Sequence, residues 1–196
     1  TDRAQLEKYR EGLIVSTACL GGEVPKKITQ GKFSEAEEAI LWFKKTFGDD
    51  FYLELQRHKA TQPRANHEAY PLQVNVNTHM VEFSKKFDVK LIATNDVHFV
   101  EENHAEAHDR LICLSTGKDI DDPNRMLYTK QEWMKTQQEM NVIFADLPEA
   151  LANTQEVLDK VELYSIDHSP IMPTFEIPEE FGTEESYRQR YSDEDL

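Results

Sequence analysis

The sequence predicts an α/β fold in which parallel strands alternate with helices. Three short apolar runs, at residues 13–15, 51–58 and 91–99, predict strands. Between them lie two segments whose apolar residues recur every three to four positions, as on the buried face of a helix. Strands and helices that alternate in this way are typical of right-handed βαβ units and a parallel sheet.

The first helical segment begins near residue 34 and follows a Gly-Gly turn. Ser34 and Glu37 form the pattern of a capping box, and Gly48 is placed to end the helix. Its apolar stripe predicts the buried face: Ala36, Ile40, Phe43 and Phe47.

The second helical segment covers residues 74–89 and follows a polar loop that contains Pro63 and Pro71. One face of this segment is apolar: Val76, Met80, Phe83 and Phe87. The third predicted strand comes directly after it.

Beyond the third strand the pattern becomes helical and then extended. A helix is predicted to about Leu114, with a stop near Gly117 and a loop at residues 121–128. A short helix over 136–144 opens with Thr136 and Glu139, and a last helix has Asp146 as its N-cap and Pro148 near its start. That last helix carries three apolar residues: Leu151, Leu158 and Val161. Residues 164–178 are rich in proline and predict an extended connector.

Composition and charge argue against several classes of protein. The 196 residues carry a formal net charge of −15, which argues against a nucleic-acid-binding surface spread over the chain. The two cysteines are far apart in sequence, so a disulfide scaffold is not expected and a cytoplasmic setting is predicted. No apolar run approaches the roughly 20 residues of a membrane span.

Polar side chains follow each predicted strand. Cys19 closes the first strand, Glu54 and His58 belong to the second, and Asp96 and His98 end the third. Residues i and i+2 of a strand project to one face, so Asp96 and His98 are predicted to point together, with Val97 turned into packing. A carboxylate, an imidazole and a thiolate favour a zinc-like ion over magnesium.

Four of these residues also have a non-functional interpretation. Asp96 could cap a helix beside a surface His98, Cys19 could be a small buried residue, and Glu54 could pair with a buried Lys or Arg. A second pair, His104 and His108, has the four-residue spacing of a helical metal site. Because no third ligand accompanies that pair, a solvated or structural role is favoured for it.

Five segments in this order resemble one family: GLIVSTACLGGEVP, FYLELQRH, ATNDVHF, EAHDRLICLSTGK and FADLPEALANTQEV. They are similar to the PHP (polymerase and histidinol phosphatase) domain of bacterial DNA polymerase III alpha subunits. The resemblance extends from about residue 11 to residue 178. It implies part of a distorted (β/α)7 barrel with parallel strands, followed by helices and an extended connector.

The resemblance also implies a site. It assigns Cys19, Asp96 and His98 to the last three metal-ligand positions of the family. Glu54 and His58, which belong to the second predicted strand, are expected to support these ligands. Earlier ligands of the family lie on an HxH motif, which this sequence lacks. Residues 1–163 are therefore expected to be the C-terminal portion of a PHP domain, and residues 164–196 an acidic connector toward the polymerase palm.

The function implied by the resemblance belongs to a longer parent protein, a DNA-directed DNA polymerase of DNA replication. Its PHP domain would be a 3′–5′ exonuclease that uses zinc, manganese or magnesium, or a structural module that docks the proofreader. The implied partners, through the rest of the parent, are DNA, dNTPs, the proofreading exonuclease and the sliding clamp, and no membrane is implied. The fragment itself is expected to bind metal weakly or not at all and to be inactive. Because its sheet edges and apolar faces are left unpaired, it is also expected either to self-associate or to adopt a rearranged, marginally stable fold. The alternatives are a free-standing PHP phosphoesterase and a structural domain with a decayed site.

Overall fold

A computed structural model describes residues 1–174, 178–192 and 194–195. The chain divides into two compact units, Thr1–Val161 and Glu162–Leu196. The first unit contains, in chain order, α1 (Arg3–Lys8), β1 (Val15–Ser16), α2 (Glu23–Thr29), α3 (Phe33–Phe47), β2 (Phe51–Leu55), α4 (Ala69–Phe87), β3 (Leu91–Ala93), α5 (Ala105–Thr116), α6 (Gln137–Ile143) and α7 (Pro148–Lys160). Short 3₁₀ turns precede β2 and α5, at Gly48–Asp50 and Glu102–His104.

The three strands form one parallel sheet in the order β1-β2-β3. Val15 lies opposite Phe51, and Leu53 lies opposite Leu91. Helices connect each strand to the next, so the predicted α/β class with parallel strands is confirmed. All three strands therefore end at the same edge of the sheet, and the loops that follow them meet there.

The strands are shorter than predicted. β2 ends at Leu55 rather than at residue 58, and β3 ends at Ala93 rather than at residue 99. After β3 the backbone N–H of Thr94 still donates to the carbonyl oxygen of Leu55, at 3.0 Å. Asp96 then adopts a positive φ of 43°, which turns the chain out of the extended conformation.

The hydrophobic core fills the space between the sheet and the helices. The strands contribute side chains that are almost fully buried, such as Leu53 and Leu55. Helices α2, α3 and α4 pack against them with Ile28, Ile40 and Met80. Burial of large apolar side chains of this kind contributes about 1.5–3 kcal/mol each and makes the sheet a firm base for the loops at its edge.

Several predicted helix ends are confirmed. Thr136 and Glu139 form a capping box at the start of α6, and Pro148 is the first residue of α7. Gly48 and Gly117 follow α3 and α5 with φ of 59° and 64°, a conformation that glycine adopts without steric cost.

Other predicted ends are wrong. Ser34 does not cap α3, because the helix already begins at Phe33 after Lys32. The sequence predicts a loop at Pro71, but this residue lies in the first turn of α4, where its missing N–H costs no hydrogen bond. Asp146 does not cap α7, since Leu147 holds that place and the Asp146 carboxylate forms an ion pair with Arg57 instead. Helices α1 and α2 were not predicted.

The described part of the second unit contains a 3₁₀ turn and one short helix. Residues 162–174 form no helix or strand, and a 3₁₀ turn at Glu179–Phe181 precedes α8 (Glu184–Arg188). The predicted extended connector also includes residues 175–177, which lie outside the described residues. Within the part of the chain that the structure describes, no helix has the length and apolar character needed to cross a membrane.

Candidate functional site

The loops after the three strands enclose an open cleft of about 350 Å³ at the carboxyl edge of the sheet. Cys19 reaches it from the loop after β1, His58 from the segment after β2, and Asp96 from the loop after β3. Three of the five predicted site residues therefore share one cleft. Its other wall includes Tyr128 and Glu132 from a later loop.

Glu54 lies beside this cleft, inside a ring of neutral hydrogen-bond donors. Its carboxylate accepts from the hydroxyls of Ser16 and Thr94, both at 2.5 Å, and from the Gln56 amide at 2.8 Å. Among the described residues, no Lys or Arg forms an ion pair with it, so the interpretation of Glu54 as a partner of a buried cation is not supported. The carboxylate connects the ends of all three strands.

His58 is 3% exposed and serves as a connector between loops. One ring nitrogen, Nδ1, lies 3.0 Å from the Gln73 amide nitrogen, and the other, Nε2, lies 3.1 Å from the carbonyl oxygen of Asn95. A carbonyl can only accept, so Nε2 carries the proton and Nδ1 accepts from Gln73. Burial lowers the pKa of His58, which favours this neutral form. His58 therefore holds the residue that directly precedes Asp96.

Asp96 and His98 lie in a loop, and not on a strand as predicted. Val97, which was predicted to be packed, is 47% exposed, because the alternation of a strand does not extend beyond β3. The Nδ1 of His98 lies 2.6 Å from the carbonyl oxygen of Asp96, so this nitrogen carries the proton. Nε2 then has the free lone pair that a metal ligand requires, and the Tyr128 hydroxyl donates to it at 3.2 Å.

The loop that supplies Tyr128 belongs to the site, although its sequence carries no motif that indicates this. We call residues 125–135 the strap. The Glu132 carboxylate accepts from the backbone N–H groups of Thr129 and Gln131, both at 3.0 Å. The Asn95 amide donates to the carbonyls of Gln131 and Trp133, at 2.8 and 2.6 Å. The strap is therefore fastened to the loop that carries Asp96.

Two ion pairs fix the strap to α5, and in one of them both side chains are buried. Arg125 donates to both oxygens of Asp109, at 2.5 and 2.8 Å, and both side chains are almost fully buried. Lys130 is 4% exposed, and its amine donates to Glu106 at 2.5 Å. The sequence signal for these contacts was weak, since the loop reads only as a polar turn followed by residues of mixed character.

The donor set of Cys19, Asp96 and His98 suits a zinc-like ion by its chemistry, but it does not converge. Within the described residues, no three His, Cys, Asp or Glu side chains form a group that could hold a metal ion. Nor do His104 and His108 form a helical pair, because His104 lies in the 3₁₀ turn before α5 and accepts from the backbone N–H of Glu101. The His108 ring instead packs beside His98, with ring centres 5.7 Å apart.

Comparison with known proteins identifies the family. Residues 1–58 match the family described as PHP domain. The DNA polymerase III subunit alpha of Borreliella burgdorferi is 42% identical over 197 residues, which cover 100% of this chain and 16% of that protein. Its counterpart in Campylobacter jejuni is 37% identical, with 90% of this chain and 15% of that protein covered. The one from Caulobacter vibrioides is 35% identical, with coverage of 88% and 14%.

The chain belongs to the family of DNA polymerase III alpha subunits. The family that the sequence motifs indicated is thereby confirmed, together with its PHP domain. The chain spans 16% or less of the length of these three relatives. Because each of them is a DNA polymerase III subunit alpha, a free-standing PHP phosphoesterase is not favoured.

Proposed function

We propose that this chain forms the C-terminal portion of a PHP domain, residues 1–163, in a cytoplasmic replicative DNA polymerase. In that proposal residues 164–196 connect it to the polymerase palm. The complete protein would extend DNA from dNTPs with its palm carboxylates, which this chain lacks. Its replisome partners would be the proofreading exonuclease and the sliding clamp. Family membership supports the proposal, because the relatives are polymerase subunits of several times this length.

Within that domain we propose that Cys19, Asp96 and His98 are metal ligands. The observation that carries this assignment is the position of Cys19 and Asp96 in one cleft at the carboxyl edge of a parallel sheet. His98 supports it, because its Nδ1 is engaged by a carbonyl and its Nε2 keeps the lone pair. His58 orients the Asp96 loop through Asn95, and Glu54 ties the three strand ends together.

The metal would supply an activated water and a positive charge for a phosphate group, which a 3′–5′ exonuclease needs. Zinc, manganese or magnesium would be able to serve as this metal ion, and the thiolate of Cys19 favours zinc. This chain's own residues hold the loop of Asp96 in place, and the buried, neutral His58 contributes no charge to the cleft.

One observation favours a second function, a structural module that docks the proofreader. The Tyr128 hydroxyl already donates a hydrogen bond to Nε2 of His98, and no group of three ligands is present among the described residues. In this alternative the buried Arg125–Asp109 ion pair, which holds the strap, matters more than the donor set.

The test is the metal content of the full-length polymerase subunit with Asp96 and His98 both changed to Ala. We expect the PHP metal to be lost, as measured by plasma mass spectrometry, while polymerase activity on a primed template is kept. The matched control changes Asp167 and His168 to Ala, an exposed Asp-His pair in the second unit. Equal metal content in the two variants would overturn the ligand assignment. In the isolated chain we expect weak binding, so stoichiometric tight zinc there would contradict our view that the ligand set is incomplete.

A further inference from the structure

A second cleft, of about 530 Å³, lies between the end of β3 and helices α6 and α7. Ala93 forms its floor from the sheet, and Met140 and Leu151 line it from the two helices. Lys135, the last residue of the strap, is half-buried and faces into this cleft. None of the residues assigned to the proposed metal site lines this cleft.

The amine of Lys135 has an unusual environment for a lysine. Among the described residues, no carboxylate lies within ion-pair distance of its Nζ. Its contacts are a hydrogen bond to the carbonyl oxygen of Gln131 and the Trp133 ring, whose centre lies 4.3 Å from Nζ. The polar lining of the cleft is neutral and includes the amides of Gln137 and Asn141.

This environment disfavours the ammonium form. Burial lowers the pKa of Lys135 to about 8, although the charges of Glu132 and Glu139 oppose the shift. An amine of this pKa is roughly one-tenth unprotonated at pH 7, against roughly one part in 2,500 for an ordinary lysine. Only the unprotonated amine is a nucleophile, so Lys135 combines a reactive form with an open cleft that can admit a small reagent.

We propose that Lys135 is a site of acylation by a small acyl phosphate or acyl thioester. The unprotonated amine attacks the carbonyl carbon of the reagent, and a C–N bond forms. The bond from that carbon to the phosphate oxygen or thiolate sulfur breaks, and the leaving group takes the electron pair. The nitrogen releases one proton to solvent, and the product is a neutral amide that no longer carries a desolvated charge.

Acylation of Lys135 would affect the loop of Asp96 through one shared hydrogen-bond acceptor, the carbonyl oxygen of Gln131. The carbonyl oxygen of Gln131 accepts both from the Lys135 amine and from the Asn95 amide. Asn95 directly precedes Asp96, so a bulkier and neutral group on Lys135 changes a contact that holds this loop. The acylation itself depends only on the environment of Lys135 in its own cleft, and its test does not require a metal.

The experiment treats the folded chain with acetyl phosphate at pH 7.0 and stops the reaction at low conversion. The remaining amines are then labelled with deuterated acetyl groups under denaturing conditions, and mass spectrometry gives the acetylated fraction of each lysine. The exposed Lys45, Lys59 and Lys85 are the internal controls. The larger unprotonated fraction is partly offset by the lower nucleophilicity of a less basic amine. We expect Lys135 to react on the order of tenfold faster than these controls.

Two further measurements test whether the fast reaction of Lys135 is caused by its burial in the folded protein or by its neighbours in sequence. In the chain unfolded by urea, the excess at Lys135 should disappear, because its cause is burial in the folded protein. In the folded chain, the rate at Lys135 should level off above about pH 8, whereas the rates of the controls keep rising. A rate at or below that of the exposed lysines, or an excess that survives unfolding, would overturn the proposal.

Discussion

Replacement of Asp109 by Asn should destabilise the protein strongly through the strap. In the folded chain this carboxylate accepts two hydrogen bonds from Arg125, and the two side chains are only 6% and 3% exposed. The substitution keeps the shape of the side chain and removes its charge. The guanidinium then stays buried, with its Nε bonded to the carbonyl of Ile120 but with its counter-charge gone.

The expected cost follows from the burial of the pair. Removal of one partner of a buried ion pair typically costs 3–5 kcal/mol, because an uncompensated charge remains in a poorly solvated place. Asn keeps one acceptor oxygen, so we expect the lower end, about 3 kcal/mol. For a chain of this size, that corresponds to a fall in Tm of about 6–12 °C. Exchange of both partners, Asp109→Leu with Arg125→Met, should recover most of the loss, because no buried charge is then left without a partner.

The assay is urea unfolding followed by circular dichroism, with Asp121→Asn as the matched control. Asp121 also pairs with an arginine, Arg64, at 3.2 Å, but their side chains are 78% and 63% exposed. Exposed pairs contribute about 0–1 kcal/mol, so the control should unfold almost like the original chain. If Asp109→Asn and the control unfolded at the same urea concentration, the buried pair would not be what anchors the strap.

Two other substitutions test the base of the sheet and the loop of Cys19. Glu156→Gln should lower Tm at pH 7 and flatten its acid dependence, because hydrogen bonds from Lys90 and Tyr52 hold the pKa of the Glu156 carboxyl at about 2. The folded pKa lies below the unfolded value of about 4.3, so the stability that Glu156 contributes is present above about pH 4.3 and is lost as the pH falls toward 2. If Tm depended on pH in the same way in the original chain and in Glu156→Gln, this linkage would be refuted. Gly22→Ala should cost about 1–3 kcal/mol in urea unfolding, because its Cβ would lie 2.0 Å from a backbone carbonyl oxygen. Gly21→Ala is the control, with its nearest atom at 3.7 Å, and equal stability of the two variants would contradict the steric argument.

The elements that could be predicted from sequence are those whose signal is local. The stripe of α4 and the capping box of Thr136 depend on residues three or four positions apart, and both are confirmed. The ends of the strands were predicted less well, since β3 ends at Ala93 and the positive φ of Asp96 then turns the chain out of the extended conformation. Helix α2 was missed because its seven residues include Pro25, which the pattern does not distinguish from a loop.

The candidate site also combines features that could be predicted from the sequence with features that could not. Cys19 and Asp96 could be predicted to meet, because parallel strands bring the loops after them to one edge. The neutral form of His58 and the position of Tyr128 could not, because they depend on hydrogen-bond partners 15 to 37 residues distant in sequence. Such contacts between distant residues leave no periodic pattern from which they could be inferred.

The charges around the cleft bear on which ligand it can hold. Asp96 and Glu54 form no ion pair with Lys or Arg among the described residues, and the hydrogen-bond donors around Glu54 are neutral. Neutral donors stabilise a carboxylate without cancelling its charge, so the edge of the sheet retains a negative potential. A cation is therefore favoured there over an anion such as phosphate alone. If the site acts on a phosphodiester, the cation must bind first, and the Tyr128 hydroxyl must then give up the Nε2 of His98 for that nitrogen to coordinate it.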